Sequence, residues 1–154
     1  MPSLLEAIRG TVNATEPHPQ LLSCGQPDLR HLEAFQAAGG AAVIDLRAPH
    51  EPKGFDERAA AERLGLEYHQ FPVGPTPLND ELMEKILGAI RAQAGKPVLF
   101  HCASANRTGG PLIAYLILDQ GFTEEAAVQA AARAGLRSPE ILQWGVEYAR
   151  RHAG

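Results

Sequence analysis

Cysteine is scarce in this 154-residue chain: Cys24 and Cys102 are the only two. Two cysteines make no disulfide framework, and neither belongs to a Cys/His array of zinc-binding spacing. A Cys24–Cys102 disulfide, protecting against oxidation, is the one pairing open to the chain. The six histidines are scattered along the sequence, so neither a metal site nor a cofactor is expected. A transmembrane stretch of about 20 apolar residues is missing, and residues 1–20 lack the basic start and long apolar run of a secretory signal. The expectation is a cytoplasmic chain without a membrane partner. Surplus basic charge is missing as well. A net charge of −4 argues against a general nucleic-acid binder, which needs an excess of Lys and Arg to neutralise phosphates. Repeats and low-complexity tracts are absent.

What remains is an ordinary soluble composition, 45% apolar and 21% charged, in a chain of single-domain length, residues 1–154. Leu4, Leu5 and Ile8 stand at helical spacing within Pro2–Arg9, and residues 11–20, with Pro17 and Pro19, read as a connecting loop. Leu21–Ser23 reads as a strand. Asp28 is placed to cap a helix presenting Leu29, Leu32 and Phe35 and ending at Gly39-Gly40, and Ala41–Asp45 is a buried strand. Phe55–Leu64 reads as a helix and Leu66–Val73 as a strand. Asn79-Asp80-Glu81 opens an amphipathic helix with Leu82, Met83, Ile86, Leu87 and Ile90 on one face. Val98–Phe100 is a strand and Leu112–Leu118 an apolar helix. Thr123 caps a helix running to Ala134, and Ser138-Pro139-Glu140 starts the last one, with Ile141, Trp144 and Tyr148 on one face. Alternating strands and helices predict an α/β domain, a small mostly parallel sheet flanked by helices.

The chemistry concentrates between Val98 and Leu112. A strand ends at His101-Cys102, a loop of small residues follows, and Arg107-Thr108-Gly109-Gly110 leads into a helix. A loop feeding a helix N-terminus gathers backbone N–H groups and positive potential at one spot, a setting for an anion. The same groups and Arg107 favour a thiolate at Cys102, which makes it a candidate nucleophile. Arg107 offers a fork of donors for two oxygens of a phosphate-like group. Thr108 can hydrogen-bond the sulfur, His101 can hold the cysteine and loop by hydrogen bonding, and Ser104 adds a second loop hydroxyl. Asp45 and Arg47 fall at the carboxyl end of a strand, the edge where open α/β sheets place their sites. They serve either that site or their own loop.

His101-Cys102, then Ala103 to Asn106, then Arg107-Thr108, resembles the signature of cysteine-based protein phosphatases of the tyrosine and dual-specificity group. That signature has five residues between Cys and Arg, and this chain has four. Four is the spacing of rhodanese-type sulfurtransferases. Ser23-Cys24-Gly25-Gln26-Pro27 with Val43-Ile44-Asp45-Leu46-Arg47 resembles a bacterial branch of the dual-specificity-like phosphatases, although Ile44–Arg47 with Glu51 is also similar to the first strand of rhodanese domains. The Tyr68 strand leading to Pro72-Val73, and Gly121-Phe122-Thr123-Glu124-Glu125-Ala126 after the central helix, are similar to the phosphatases. The Gly-His-Ile-Pro-Gly-Ala segment of rhodaneses has no counterpart.

The resemblance implies a dual-specificity phosphatase-like fold and a phosphocysteine on Cys102. It implies an oxyanion held by Ala103, Ser104, Ala105, Asn106 and Arg107, with Thr108 assisting thiolate departure. The partner implied is a phosphorylated protein or small molecule. Where many such phosphatases carry the acid Asp, this chain has Gly74, and residues 74–78 hold no carboxylate. Asp80 is the nearest candidate acid, against its other role in the acidic first turn of a helix; Asp56 and Glu51 stand further off. Rhodanese-like sulfur transfer through a Cys102 persulfide, or phosphate binding without turnover, are the alternatives.

Overall fold

The computed structural model describes residues 3–74 and 77–153. Pro2, in the expected first helix, and Pro75 and Thr76, in the expected 74–78 loop, lie outside them. Among the described residues the chain forms five strands and seven helices: α1 (Leu4–Ala7), β1 (Thr15–His18), β2 (Leu21–Cys24), α2 (Leu29–Ala37), β3 (Ala42–Asp45), α3 (Glu57–Arg63), β4 (Glu67–Gln70), α4 (Asp80–Arg91), β5 (Val98–His101), α5 (Gly109–Gln120), α6 (Glu124–Arg133) and α7 (Pro139–His152). The expected α/β architecture is present. The sheet order is β1-β2-β5-β3-β4, parallel except for β1.

The reading of residues 11–20 as loop needs correction, because β1 lies there and pairs antiparallel with β2. Thr-Glu-Pro-His carries no apolar alternation, and Pro17 is tolerated because β1 is an edge strand. The strand expected over Leu66–Val73 is shorter, Glu67–Gln70. Phe71 and Val73 still donate to the carbonyls of Asp45 and Leu46, so the segment follows β3 after the strand ends.

The central strands β2, β3 and β5 are buried throughout and mostly apolar because helices cover both faces of the sheet. Leu22, Val43 and Leu99 pack with Ile8, Leu32, Phe35 and Ala61 under α1–α3. Leu21, Ile44 and Phe100 pack with Met83, Ile86, Leu112, Ile113 and Trp144 under α4–α7. Cys24 lies in the first cluster and Cys102 in the second, so the disulfide weighed above is not formed and both thiols are free.

The parallel registers bring Cys24, His101, Asp45 and Gln70 into one row across the carboxyl edge of the sheet. Whatever follows β2, β3 and β5 therefore meets at that edge. From it α5 runs back over the sheet against α7. These two helices touch at their backbones: a Cβ on Gly145 would stand 2.3 Å from the Gly110 carbonyl oxygen. Gly145→Ala should therefore cost about 1–3 kcal/mol through overpacking. Gly88→Ala in α4, where nothing lies within 4 Å of the new Cβ, should gain roughly 0.5–1 kcal/mol from helix propensity. Urea unfolding of the two variants checks the opposite signs.

Candidate active site

β5 delivers the site. At its end the Cys102 amide donates to the Cys24 carbonyl at 3.3 Å, and the chain turns into residues 103–108. The loop lies against the turn after β2, where a Cβ on Gly25 would stand 2.5 Å from the Ala103 carbonyl oxygen. Gln26 N–H donates to that same oxygen at 3.1 Å. Ala105 is buried at φ 68, a left-handed conformation that costs a residue with a Cβ about 1–2 kcal/mol. Side chains brace this shape. Asn13 Nδ2 donates to the Ser104 carbonyl at 2.9 Å, and Asn106 Oδ1 accepts from the backbone N–H groups of Arg137 and Ser138 at 2.7 and 3.0 Å. The Thr108 hydroxyl donates to the Ala105 carbonyl at 3.0 Å and accepts from the Ser23 hydroxyl at 2.9 Å.

Two kinds of donor remain open. The backbone N–H groups of Ala103, Ser104, Asn106 and Arg107 have no hydrogen-bond partner among the described residues. Six of the seven helices start with a side-chain cap, from Ser3, Asp28, Asp56, Asn79, Thr123 and Ser138. Only α5 lacks one, because the hydroxyl of its N-cap residue Thr108 is bonded elsewhere. The four open loop N–H groups lead directly into the uncapped start of this twelve-residue helix, an anion-binding arrangement.

Cys102 lies buried at the floor of this loop. Arg107 is fixed beside it by Glu51, which accepts from Nη1 and Nη2 at 2.9 Å each. Glu51 also accepts from Arg47 Nε at 3.0 Å and from the Ala48 amide at 2.7 Å. The Arg107 guanidinium, with help from Ala48 and Arg47, holds the Glu51 carboxyl well below the ordinary carboxylate range. In return Glu51, and after it the nearby Cys102, hold Arg107 above its ordinary value.

Behind the loop is a second buried cluster. His101 Nε2 meets Glu57 Oε2 at 2.5 Å, and Glu57 Oε1 accepts from Gln26 Nε2 at 2.7 Å. Lys53 is paired with Asp45, and Tyr68 donates to the same carboxylate at 2.5 Å. Burial would raise the Asp45 carboxyl, but His101, Lys53 and Tyr68 bring it below its ordinary value. Among the described residues, Asp45, Glu57 and His101 are the one grouping whose donor atoms lie close enough for a metal, within 4.8 Å of one another. The Lys53 ammonium already lies against both carboxylates.

The site residues expected from sequence separate into two groups. Cys102, the loop residues 103–106, Arg107, Thr108 and His101 come together, and Asp45 at the end of β3 and Arg47 just after it join them. Asp45 accepts from the Arg47 amide at 2.8 Å, so the pair ties its own loop and also braces the site. Thr108 bonds to Ala105 and Ser23, and no bond to the Cys102 sulfur is found among the described residues. Asp80 is apart: its carboxylate is held by Arg151 at 2.5 Å and by His152 at 3.5 Å on α7. Asp56 caps α3. Sequence reasoning did not identify Gln26, Lys53, Glu57, Tyr68, Ser23 or Asn13. Only Asn13 lacks any local signal, since the others fall next to recognised segments.

Comparison with known proteins bears on the fold. No protein-family model matches the chain. A DUF442 protein from Shewanella putrefaciens CN-32 superimposes with a TM-score of 0.80 at 24% identity, covering 96% of this chain and 98% of its own. Tk-PTP in its active form gives 0.77 at 23%, over 90% and 97%. P. aeruginosa TpbA, in complex with phosphotyrosine, gives 0.70 at 21%, over 90% and 83%. The chain has the fold of the cysteine-dependent tyrosine and dual-specificity phosphatases. In sequence, a beta-lactamase hydrolase-like protein of Xylella fastidiosa is 34% identical over 92 residues, 57% of this chain. That match spans 21% of the Xylella protein's own length. On the phosphatase fold, the 102–108 loop of this chain stands at the carboxyl edge of the sheet and opens α5. No helix among the described residues is long and apolar enough to cross a membrane.

The depressed Glu51 carboxyl has a consequence for stability. Its folded-state pKa lies below the unfolded value of about 4.3, so its contribution is present above about pH 4.3 and lost as pH falls through the folded value. On acidification from about pH 5 to about pH 3, the wild-type melting temperature should fall more steeply than that of Glu51→Gln. Parallel slopes would mean that the clamp contributes nothing.

Proposed function

We propose that this chain is a phosphomonoester hydrolase working through a phosphocysteine on Cys102, with a phosphorylated protein or small molecule as substrate. The observation that carries the reading is the uncapped start of α5 with four unpartnered loop N–H groups beside a clamped Arg107, all arranged around one cysteine. A structural turn would leave no such set of donors open.

In this reading the substrate's phosphoryl oxygens take the open N–H groups of Ala103, Ser104, Asn106 and Arg107 and the donors of Arg107 that Glu51 does not use. The Cys102 thiolate attacks phosphorus, the S–P bond forms as the P–O bond to the leaving group breaks, and the alkoxide or phenoxide departs. Water then attacks the phosphocysteine, releasing inorganic phosphate and regenerating the thiolate. Thr108 and Ser23 keep the loop's curvature, and His101 supports it from below. Asp80 is engaged by Arg151 and His152, so the reading assigns the leaving-group proton to no side chain. Aryl phosphates, which leave as stabilised phenolates, are the expected substrates over alkyl phosphates.

The four-residue spacing between Cys102 and Arg107 favours a second reading, sulfur transfer through a Cys102 persulfide. Hydrolysis of para-nitrophenyl phosphate by wild type and Cys102→Ser, with thiosulfate-to-cyanide sulfur transfer followed in parallel, separates the two. Phosphate release that disappears in Cys102→Ser supports the phosphatase, and sulfur transfer without phosphate release replaces it. Asp80→Asn should leave hydrolysis within about twofold of wild type. A loss on the order of a hundredfold, the size of a missing general acid, would restore Asp80 as the proton donor.

A further inference from the structure

His101 lies directly beneath the nucleophile, with both ring nitrogens facing acceptors. Nε2 is 2.5 Å from Glu57 Oε2, and Nδ1 is 3.3 Å from the Cys102 carbonyl oxygen. Neither a carboxylate nor a carbonyl can donate. A neutral imidazole has one N–H and could satisfy one of these partners, whereas an imidazolium satisfies both. The surroundings agree. Asp45 Oδ1 from β3 stands 3.9 Å from Nδ1. Lys53, from the segment before α3, is turned onto Asp45 and lies 4.0 Å from Glu57. From β4, the Tyr68 hydroxyl donates to Asp45. Cys24, paired with His101 across β2, has its thiol pushed up to about 12 by burial and stays neutral. Burial alone would push the imidazole down, but Glu57 and Asp45 hold it above its ordinary value.

We propose that Glu57 is a positioning residue for the reaction: a buried carboxylate on α3 that keeps His101 an imidazolium and so fixes a positive charge one residue behind Cys102. This rests on the reading of Cys102 as nucleophile. Glu57 is bound at the far ring nitrogen, Nε2, while Nδ1 meets the Cys102 main-chain carbonyl, so the pair turns its positive end toward Cys102. Glu57 does a second thing from the same place. Through Gln26 it reaches Arg47 and Glu51, and so the clamp on Arg107.

Glu57→Gln keeps the shape and removes the charge. His101 then loses its proton near neutrality, and the positive charge one residue behind Cys102 goes with it. The rate of iodoacetamide alkylation at Cys102, followed by mass spectrometry of the Cys102 peptide against pH, should move its midpoint up by about one unit. At about pH 6 that is roughly a tenfold loss of rate. For an aryl phosphate kcat should fall while KM changes less than about twofold, since the loop N–H groups and Arg107, which bind the phosphate, are retained. Glu62→Gln, exposed on the same helix, should match wild type. In a His101→Gln background, Glu57→Gln should add no further loss. A midpoint that stays or moves down, or losses that add, overturns the proposal. Alkylation needs no turnover, so a shifted midpoint without phosphate release keeps this proposal and removes the phosphatase reading instead. Should Glu57→Gln fail to fold, nitrogen NMR of wild type with labelled histidine at about pH 7.5, a unit above the ordinary histidine value, still decides. Two protonated nitrogens on His101 are expected, and a neutral tautomer there refutes the proposal.

Discussion

Glu51 and Arg107 set the terms for everything around the loop. A guanidinium has five donors, and Glu51 accepts one from each Nη, which leaves Nε–H and two Nη hydrogens for an oxyanion. Glu51 can hold that orientation because Ala48 and Arg47 hold it in turn. Arg47 is fixed by Gln26 Oε1 at 2.8 Å, Gln26 by Glu57, and Glu57 by His101. The chain of contacts thus leaves the loop at Arg107 and returns to it at His101, the residue before Cys102. Both ends of the loop are held by one polar circuit, and moving either end requires breaking it.

The charges in that circuit do not cancel. With His101 protonated, the cations are His101, Lys53, Arg47 and Arg107, and the carboxylates are Asp45, Glu57 and Glu51, four against three. Buried charge is costly unless paired, so one surplus positive charge beneath an uncapped helix creates a demand for an anion. In the proposed reaction a bound phosphoryl group meets that demand, at the open N–H groups of the loop.

The fold and the centre of the site were legible because both are written locally. Apolar runs in β2, β3 and β5, the Asp28, Thr123 and Ser138 caps, and the Cys102–Arg107 spacing each lie within a few consecutive residues. The supporting residues were not, because sheet order assembles them. Glu57 reads as one acid among several in an Ala-rich helix, and only β3 lying beside β5 turns it beneath His101. Lys53 and Tyr68 meet at Asp45 for the same reason. β1 was missed because Thr-Glu-Pro-His carries no alternation. Asn13 was missed because nothing in the sequence announces a left-handed residue whose amide reaches across to Ser104. The helix-start signals around Asn79-Asp80 hold, since Asn79 is the cap and Asp80 lies in the first turn.

Departures from local rules concentrate in this molecule between residues 102 and 108. Elsewhere among the described residues the helices are capped, and most left-handed positions are glycines, Asn13, Gln20 and Ala94 excepted. Within residues 102–108 a helix starts without a cap, an alanine takes a left-handed φ, four amides go unpaired and a cysteine lies buried beside a charge surplus. Each departure costs stability, and a loop needed only to connect β5 to α5 could avoid them all with a cap and a glycine. Their coincidence at one cysteine is what distinguishes a functional loop from a connecting one, because strain and unsatisfied donors persist where the surrounding structure holds them in place for a ligand. Here the surrounding structure is the circuit from Arg107 to His101, and its rigidity allows the short loop to keep its donors open.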